Sequence, residues 1–190
     1  QITKTPAIHI SPSWSPDGSK ILYTSYEEGN PDLFVYDRRT KTHHKLSGYK
    51  GINSSGCFAP QGNMVAYSAT NLSSKGVTDI YMLDVITKAR VPLITGQGIA
   101  VDADFSPDGK SLAYVSGLYG NPHIFRVDLS WDGGVKVPRV VGSKRLTYAG
   151  WYNTTPVFSP DSKQIVFSGF DKEAGFNNAS GRFDLFVMNI

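Results

Sequence analysis

One short turn motif occurs four times along the chain and constrains the fold more than any other feature. Each copy consists of an aromatic residue, a small residue, proline, a polar residue and a small residue. The copies are Trp14–Gly18, Phe58–Gly62, Phe105–Gly109 and Phe158–Ser162, spaced 44, 47 and 53 residues apart. A repeat of this length indicates that each copy belongs to one supersecondary unit. The sequence therefore predicts four similar units.

Two short apolar segments with the composition of β-strands follow each turn. In the first repeat they are Ile21–Tyr23 and Asp32–Asp37, and equivalent segments follow the other three turns. Ser-Pro-Asp-Gly suits a type I turn, so we expect a hairpin between strands one and two. A second turn, Asp-x-x-Thr-Lys, leads to a fourth strand predicted at Lys45–Ser47 in the first repeat and Pro92–Thr95 in the second.

Four strands in about 45 residues cannot bury both faces of their own sheet. Packing such sheets radially, as the blades of a β-propeller, solves this problem. A β-sandwich would not require the same turn at the same phase four times. The predicted fold class is therefore all-β, a β-propeller of four-stranded antiparallel blades with about four blades present. The aromatic residues of the turns are expected to lie between blades.

The repeats are predicted at about residues 9–52, 53–99, 100–152 and 153–190. Residues 1–8 are expected to supply the outer strand of a preceding or closing blade. Two interpretations follow: a closed ring of four blades, or an interior slice of a larger, six-bladed propeller, which we favour. Open blade edges would favour self-association, because unpaired strands are templates for further pairing.

Charge and composition exclude several classes of function. The formal net charge of +3, from 19 basic and 16 acidic residues, is too small to indicate nucleic-acid binding. The apolar runs are far shorter than the roughly 20 residues of a membrane-spanning helix. The single cysteine, Cys57, can form neither an internal disulfide nor a structural zinc site of paired cysteines.

The repeats resemble the WD40-like repeat of the TolB family, in which Pro-x-Trp/Phe-Ser-Pro-Asp-Gly precedes a buried strand. The segments that carry the resemblance are Pro12–Gly18, Asn153–Asp161 and Phe183–Asn189, with TolB-like junctions at Leu146–Pro156 and Ile8–Pro12. Gln61, Ser162, Gly56 and Ala103 depart from the pattern. Similar repeats occur in the propellers of prolyl oligopeptidase-type peptidases and of some polysaccharide lyases. A non-catalytic propeller domain of such an enzyme is therefore the alternative.

The TolB resemblance implies a fragment of a six-bladed periplasmic propeller from a Gram-negative bacterium. The family acts in the Tol-Pal system of the cell envelope, which supports outer-membrane integrity and cell division. Its propeller binds the lipoprotein Pal at one mouth of the central channel. Pal and other Tol-Pal components are thus the expected partners, and nucleic acid is not.

Repeat alignment places the start of every first strand at one channel mouth. The candidates there for partner binding are His9, Asn53, Ser54, Asp102, Asn153 and Thr154, beside the apolar Ile10 and Val101. Trp151 and Tyr152 adjoin the fourth of these strands and are further candidates, because aromatic side chains are enriched at interface hot spots. Local capping of loop backbone by Asn, Ser and Thr is the structural alternative.

No recognisable catalytic motif is present, so the chain is predicted not to be an enzyme and to need no cofactor. Asp102 and Asp104 flank Ala103 in a predicted strand, so regular alternation would place both carboxylates on one side. They are the candidates for a channel cation such as calcium, although two carboxylates are too few for a complete calcium site.

Overall fold

The computed structural model describes residues 1–71, 77–131, 137–170 and 183–190. All regular secondary structure in these ranges is β-strand. Blade one contains β1 (His9–Trp14), β2 (Lys20–Ser25), β3 (Asp32–Asp37) and β4 (Thr42–Lys45), and blade two contains β5 (Asn53–Phe58), β6 (Met64–Asn71), β7 (Val77–Asp84) and β8 (Arg90–Ile94). Blade three contains β9 (Ala100–Phe105), β10 (Ser111–Ser116), β11 (His123–Ser130) and β12 (Arg139–Arg145), and blade four contains β13 (Asn153–Phe158), β14 (Gln164–Phe170) and β15 (Phe183–Asn189).

Each blade is an antiparallel sheet whose strands lie in chain order. The first strands are neighbours, since β1 contacts β5, β5 contacts β9 and β9 contacts β13. The predicted all-β propeller is confirmed. Because the strands alternate in direction, loops between strands two and three share one end of the propeller with the connections between blades. We call this end the loop face. The opposite end, where strand one joins strand two and strand three joins strand four, is the turn face.

Serine and aspartate stabilise the repeated hairpin on the turn face. In the first copy Ser15 Oγ donates to Asp17 Oδ1 at 2.6 Å and accepts from the Lys20 backbone N–H at 2.8 Å. The hydrogen bond from Ser15 holds the pKa of the Asp17 carboxyl well below its usual range. Copies three and four contain the same bonds, whereas the second copy has Ala59 and Gln61 at these positions.

Every first strand contains a β-bulge at the same position. The residues there have left-handed backbone conformations with nearly equal φ values: Ser11 (52°), Ser55 (51°), Asp102 (52°) and Thr155 (49°). The register to the second strand shifts at each of these sites. A bulge bends a strand and redirects its side chains. Gly56 follows one bulge, and a Cβ there would lie 2.7 Å from Leu22 Cδ2, which accounts for this departure from the repeat pattern.

The core lies between blades. Leu22, Leu33 and Val35 of blade one pack against Phe58 and Tyr67 of blade two, and equivalent clusters join the later blades. The aromatic residues of the last three turns are buried, as predicted. Trp14 is the exception at 58% exposed, because blade one packs against blade two through its other face.

The fourth strand of blade one and residues 1–8 differ from the predicted strands. The fourth strand of blade one spans Thr42–Lys45 instead of 45–47, because the backbone N–H groups of Leu46 and Ser47 both point to the carbonyl of Leu33 beyond the ladder. Residues 1–8 form no strand, and their assignment to another blade stays a prediction. Residues 72–76 and 171–182, between strands two and three of blades two and four, lie outside the described residues.

Restoring the serine–aspartate pair in the second turn should stabilise the fold. Ala59→Ser with Gln61→Asp adds the hydrogen bonds that the other three copies make, each contributing about 1 kcal/mol. With two such bonds we expect the thermal midpoint to rise by about 4–8 °C, measured by circular dichroism. Ala59→Ser alone is the control, because it lacks the acceptor, and an unchanged or lower midpoint for the double variant would contradict this role of the pair.

Candidate functional site on the loop face

A buried cluster of hydrogen bonds, which we call a latch, joins blade one to blade two on the loop face. Asp32, which begins β3, accepts from Asn53 Nδ2 at 2.9 Å. The same amide donates to the carbonyl of Tyr49 at 2.7 Å, and Ser47 Oγ accepts from the backbone N–H of Leu33 at 2.9 Å. The end of one blade and the start of the next are therefore fixed together.

An equivalent latch joins blades three and four, with histidine in place of aspartate. His123 Nδ1 lies 3.2 Å from Thr147 Oγ1 and 3.3 Å from Asn153 Nδ2. Asn153 Nδ2 also donates to the carbonyl of Ala149 at 3.0 Å. Burial, together with the positive charge of Arg145, lowers the pKa of His123.

The structure thus gives Asn53 and Asn153 a different role from the predicted one. Both side chains are buried in the latches, where their hydrogen bonds position the blade junctions. Sequence reasoning missed their partners Asp32 and His123. The signal was present, because the four repeats have a polar residue at the equivalent position: Asp32, Asp79, His123 and Asp184.

The remaining predicted residues at the channel mouth are divided between two places. Ser54 and Thr154 are half-buried in the first strands beside the bulges. His9 lies apart from them, with its ring edge-on to Tyr23 at 5.7 Å and its Nε2 atom 3.0 Å from Thr5 Oγ1. His9 also lines a cavity of about 440 Å³ between blade one and the N-terminal segment.

The two aspartates of blade three accept hydrogen bonds from different neighbouring blades. The left-handed conformation of Asp102 breaks the alternation, so its carboxylate bonds to Ser55 of blade two. Asp104 instead accepts from the backbone N–H of Phe158 in blade four at 2.8 Å. Burial raises the pKa of both carboxyls, that of Asp104 to about 6.

The described part of the chain contains no group of three or more candidate metal ligands. Asp102 and Asp104 each accept a hydrogen bond from a different neighbouring blade. A channel cation at these residues, calcium included, therefore stays an untested hypothesis.

Trp151 and Tyr152 are exposed on the loop face at the junction of blades three and four. Together with Asn121, Pro122, Phe170 and Phe183 they line a cavity of about 310 Å³. The ring of Tyr152 meets that of Phe183 edge-on at 5.8 Å. Of the predicted partner-binding residues, these two offer the largest apolar surface to a partner.

The family model of the TolB β-propeller domain matches residues 1–188. The chain belongs to this family. The Tol-Pal system protein TolB of Francisella tularensis subsp. mediasiatica is 35% identical over 180 residues, which cover 90% of this chain and 39% of the relative. The chain thus spans less than half the length of this relative.

Solved structures agree with this membership. TolB from Acinetobacter baumannii superposes on the whole chain with a TM-score of 0.78 and 27% identity, and the match covers 43% of that protein. An oligogalacturonate lyase in complex with manganese superposes on 99% of the chain and 52% of its own length, with a TM-score of 0.62. At 14% identity the lyase shares the fold alone. No helix in the described residues is long and apolar enough to cross a membrane.

Ionisation of Asp104 should make stability depend on pH. Its folded-state pKa of about 6 lies above the ordinary 3.8, so its stabilising contribution is full below about pH 4 and is lost as the pH rises through 6. Asp104→Asn keeps an acceptor for the Phe158 N–H without a buried charge. We expect the variant to be more stable than the wild type at pH 8, by on the order of 2 kcal/mol.

Urea unfolding at pH 4, 6 and 8 measures this difference, which should shrink towards pH 4, where the wild-type carboxyl is protonated. A constant difference across the three pH values would show that ionisation of Asp104 is not its cause.

Proposed function

We propose that this chain is a non-enzymatic protein-interaction propeller of the Tol-Pal system, acting in the periplasm of a Gram-negative bacterium. On its loop face, around the channel mouth, it binds the lipoprotein Pal and so supports outer-membrane integrity and cell division. The observation that carries the proposal is the family match over residues 1–188. The curated relatives in that family are named as Tol-Pal system proteins.

The two ends of the propeller support a binding role for the loop face. The turn face repeats nearly the same hairpin in every blade, and in blades one, three and four its serine and aspartate side chains are hydrogen-bonded to each other. The loop face differs from blade to blade and exposes large aromatic side chains at the junction of blades three and four. Variable loops on a rigid framework are common binding surfaces.

The perturbed groups near the channel fit a structural role. Asp104 and His123 have shifted pKa values, which also occur at catalytic sites. Each is engaged in a hydrogen bond between blades three and four, to the Phe158 N–H or to Asn153. These contacts give both shifts a cause in blade packing, which supports a binding function over catalysis.

Calorimetry with the soluble domain of Pal tests the proposal. Trp151→Ala should weaken binding by about 10- to 100-fold if this side chain is an interface anchor. Ile86→Ala is the matched control, because Ile86 is an apolar residue of the turn face that is 81% exposed. The Ile86→Ala variant should bind Pal with the same affinity as the wild type.

Light scattering and circular dichroism would establish that each variant is folded and would reveal self-association through open edges. A folded wild-type chain that does not bind Pal would refute the proposal. Equal weakening by Ile86→Ala and Trp151→Ala would refute the loop face as the site.

A further inference from the structure

An arginine that packs against two tyrosine rings lies on the outer part of the loop face of blade three. Arg145 ends β12, and its guanidinium lies between the rings of Tyr119 and Tyr148, at 5.3 and 4.9 Å from their centroids. Its Nε atom donates to the carbonyl of Thr147 at 2.7 Å. These contacts fix the plane of the guanidinium. Within the described residues, its two terminal nitrogens have neither a hydrogen bond nor an ion pair.

The equivalent position in blade one shows what such a cation binds. Lys45 ends β4, and its Nζ lies 2.7 Å from Asp32 and 2.5 Å from Glu28. Blade three lacks both acids, because His123 occupies the position of Asp32 and the loop at 117–121 contains no acidic residue. Blade three thus has a cationic side chain, Arg145, at this position but neither of the two carboxylates that pair with Lys45 in blade one.

The chain segment that contains Arg145 is free of acidic residues. Lys144 precedes Arg145 on the same strand, and the sequence has no acidic residue between Asp132 and Asp161. The charge of Arg145 also contributes to the lowered pKa of the neighbouring His123, after the larger effect of burial. A negatively charged partner would therefore meet no repulsion from this segment.

A small apolar cavity adjoins the arginine. It has a volume of about 210 Å³, and its walls include Thr147, Tyr148, Phe167 and Phe186. Tyr148 is shared, because its ring both covers Arg145 and lines the cavity, and its side chain is 72% exposed. A partner with an apolar side chain a few ångströms from a carboxylate could place the side chain in the cavity and the carboxylate on Arg145.

We propose that this site docks an acidic peptide segment of a partner protein, with a carboxylate on Arg145 and an apolar side chain in the cavity. The guanidinium, held flat by two rings, presents its terminal N–H groups as a fork that matches a carboxylate. The apolar cavity favours a peptide over a small inorganic anion. The test of this site uses peptides and no Pal, so its outcome does not depend on Pal binding.

Selection from a phage-displayed library of random 12-residue peptides tests the site. We expect enrichment of peptides with Asp or Glu beside a large apolar residue. For the consensus peptide, calorimetry should give affinities about 10- to 100-fold weaker for Arg145→Gln than for the wild type. Replacing the acidic residue of the peptide by its amide should weaken binding similarly.

Two further variants separate a lost contact from a lost fold. His123→Asp places in blade three the aspartate that blade one has at the equivalent position. Its carboxylate should form an ion pair with Arg145 within the chain and so weaken peptide binding without unfolding the protein. Arg139→Gln removes a positive charge from the far end of β12 and should change affinity less than threefold. Selection of no peptide, selection of non-acidic peptides, or equal binding by Arg145→Gln would each overturn the proposal.

Discussion

Burial of both faces of very small sheets is the constraint on which this structure depends. One blade cannot provide a core, so each places aliphatic residues of one face against the turn aromatic and strand residues of the next. Leu22 and Leu33 against Phe58 and Tyr67 are one example. Burying each such side chain contributes about 1.5–3 kcal/mol. Because stability comes from these interfaces, the loops on one end can vary without loss of the fold.

The bulges in the first strands are the second requirement, and they have a conformational cost. A left-handed φ is unfavourable for non-glycine residues and most of all for a β-branched residue such as Thr155. Recurrence at the same position in all four blades shows that the surrounding packing compensates for this cost. The bulges also redirect polar side chains, so that Asp102 reaches Ser55 and Asp104 is free to bond Phe158.

The repeat made the hairpins, the strand order and the propeller predictable, because Pro and Gly at fixed turn positions and short apolar runs are local signals. The bulges were not predictable, since Ser11, Ser55, Asp102 and Thr155 share no residue type that requires a left-handed conformation. The hydrogen-bond partners of Asp102 and Asp104 on neighbouring blades were not predictable either, because they depend on these bulges. The latches depend on residues 21 to 30 positions apart, such as Asp32 with Asn53 and His123 with Asn153, which local patterns do not reveal.

The central claim is that the loop face binds a partner while the turn face is framework. Hydrogen–deuterium exchange of the chain, alone and with saturating soluble Pal, tests it most directly. The account predicts slower exchange in peptides covering 46–52, 117–122 and 146–152, with unchanged exchange in the hairpins at 15–19 and 106–110. Protection confined to the hairpins, or no protection at saturation, would contradict it.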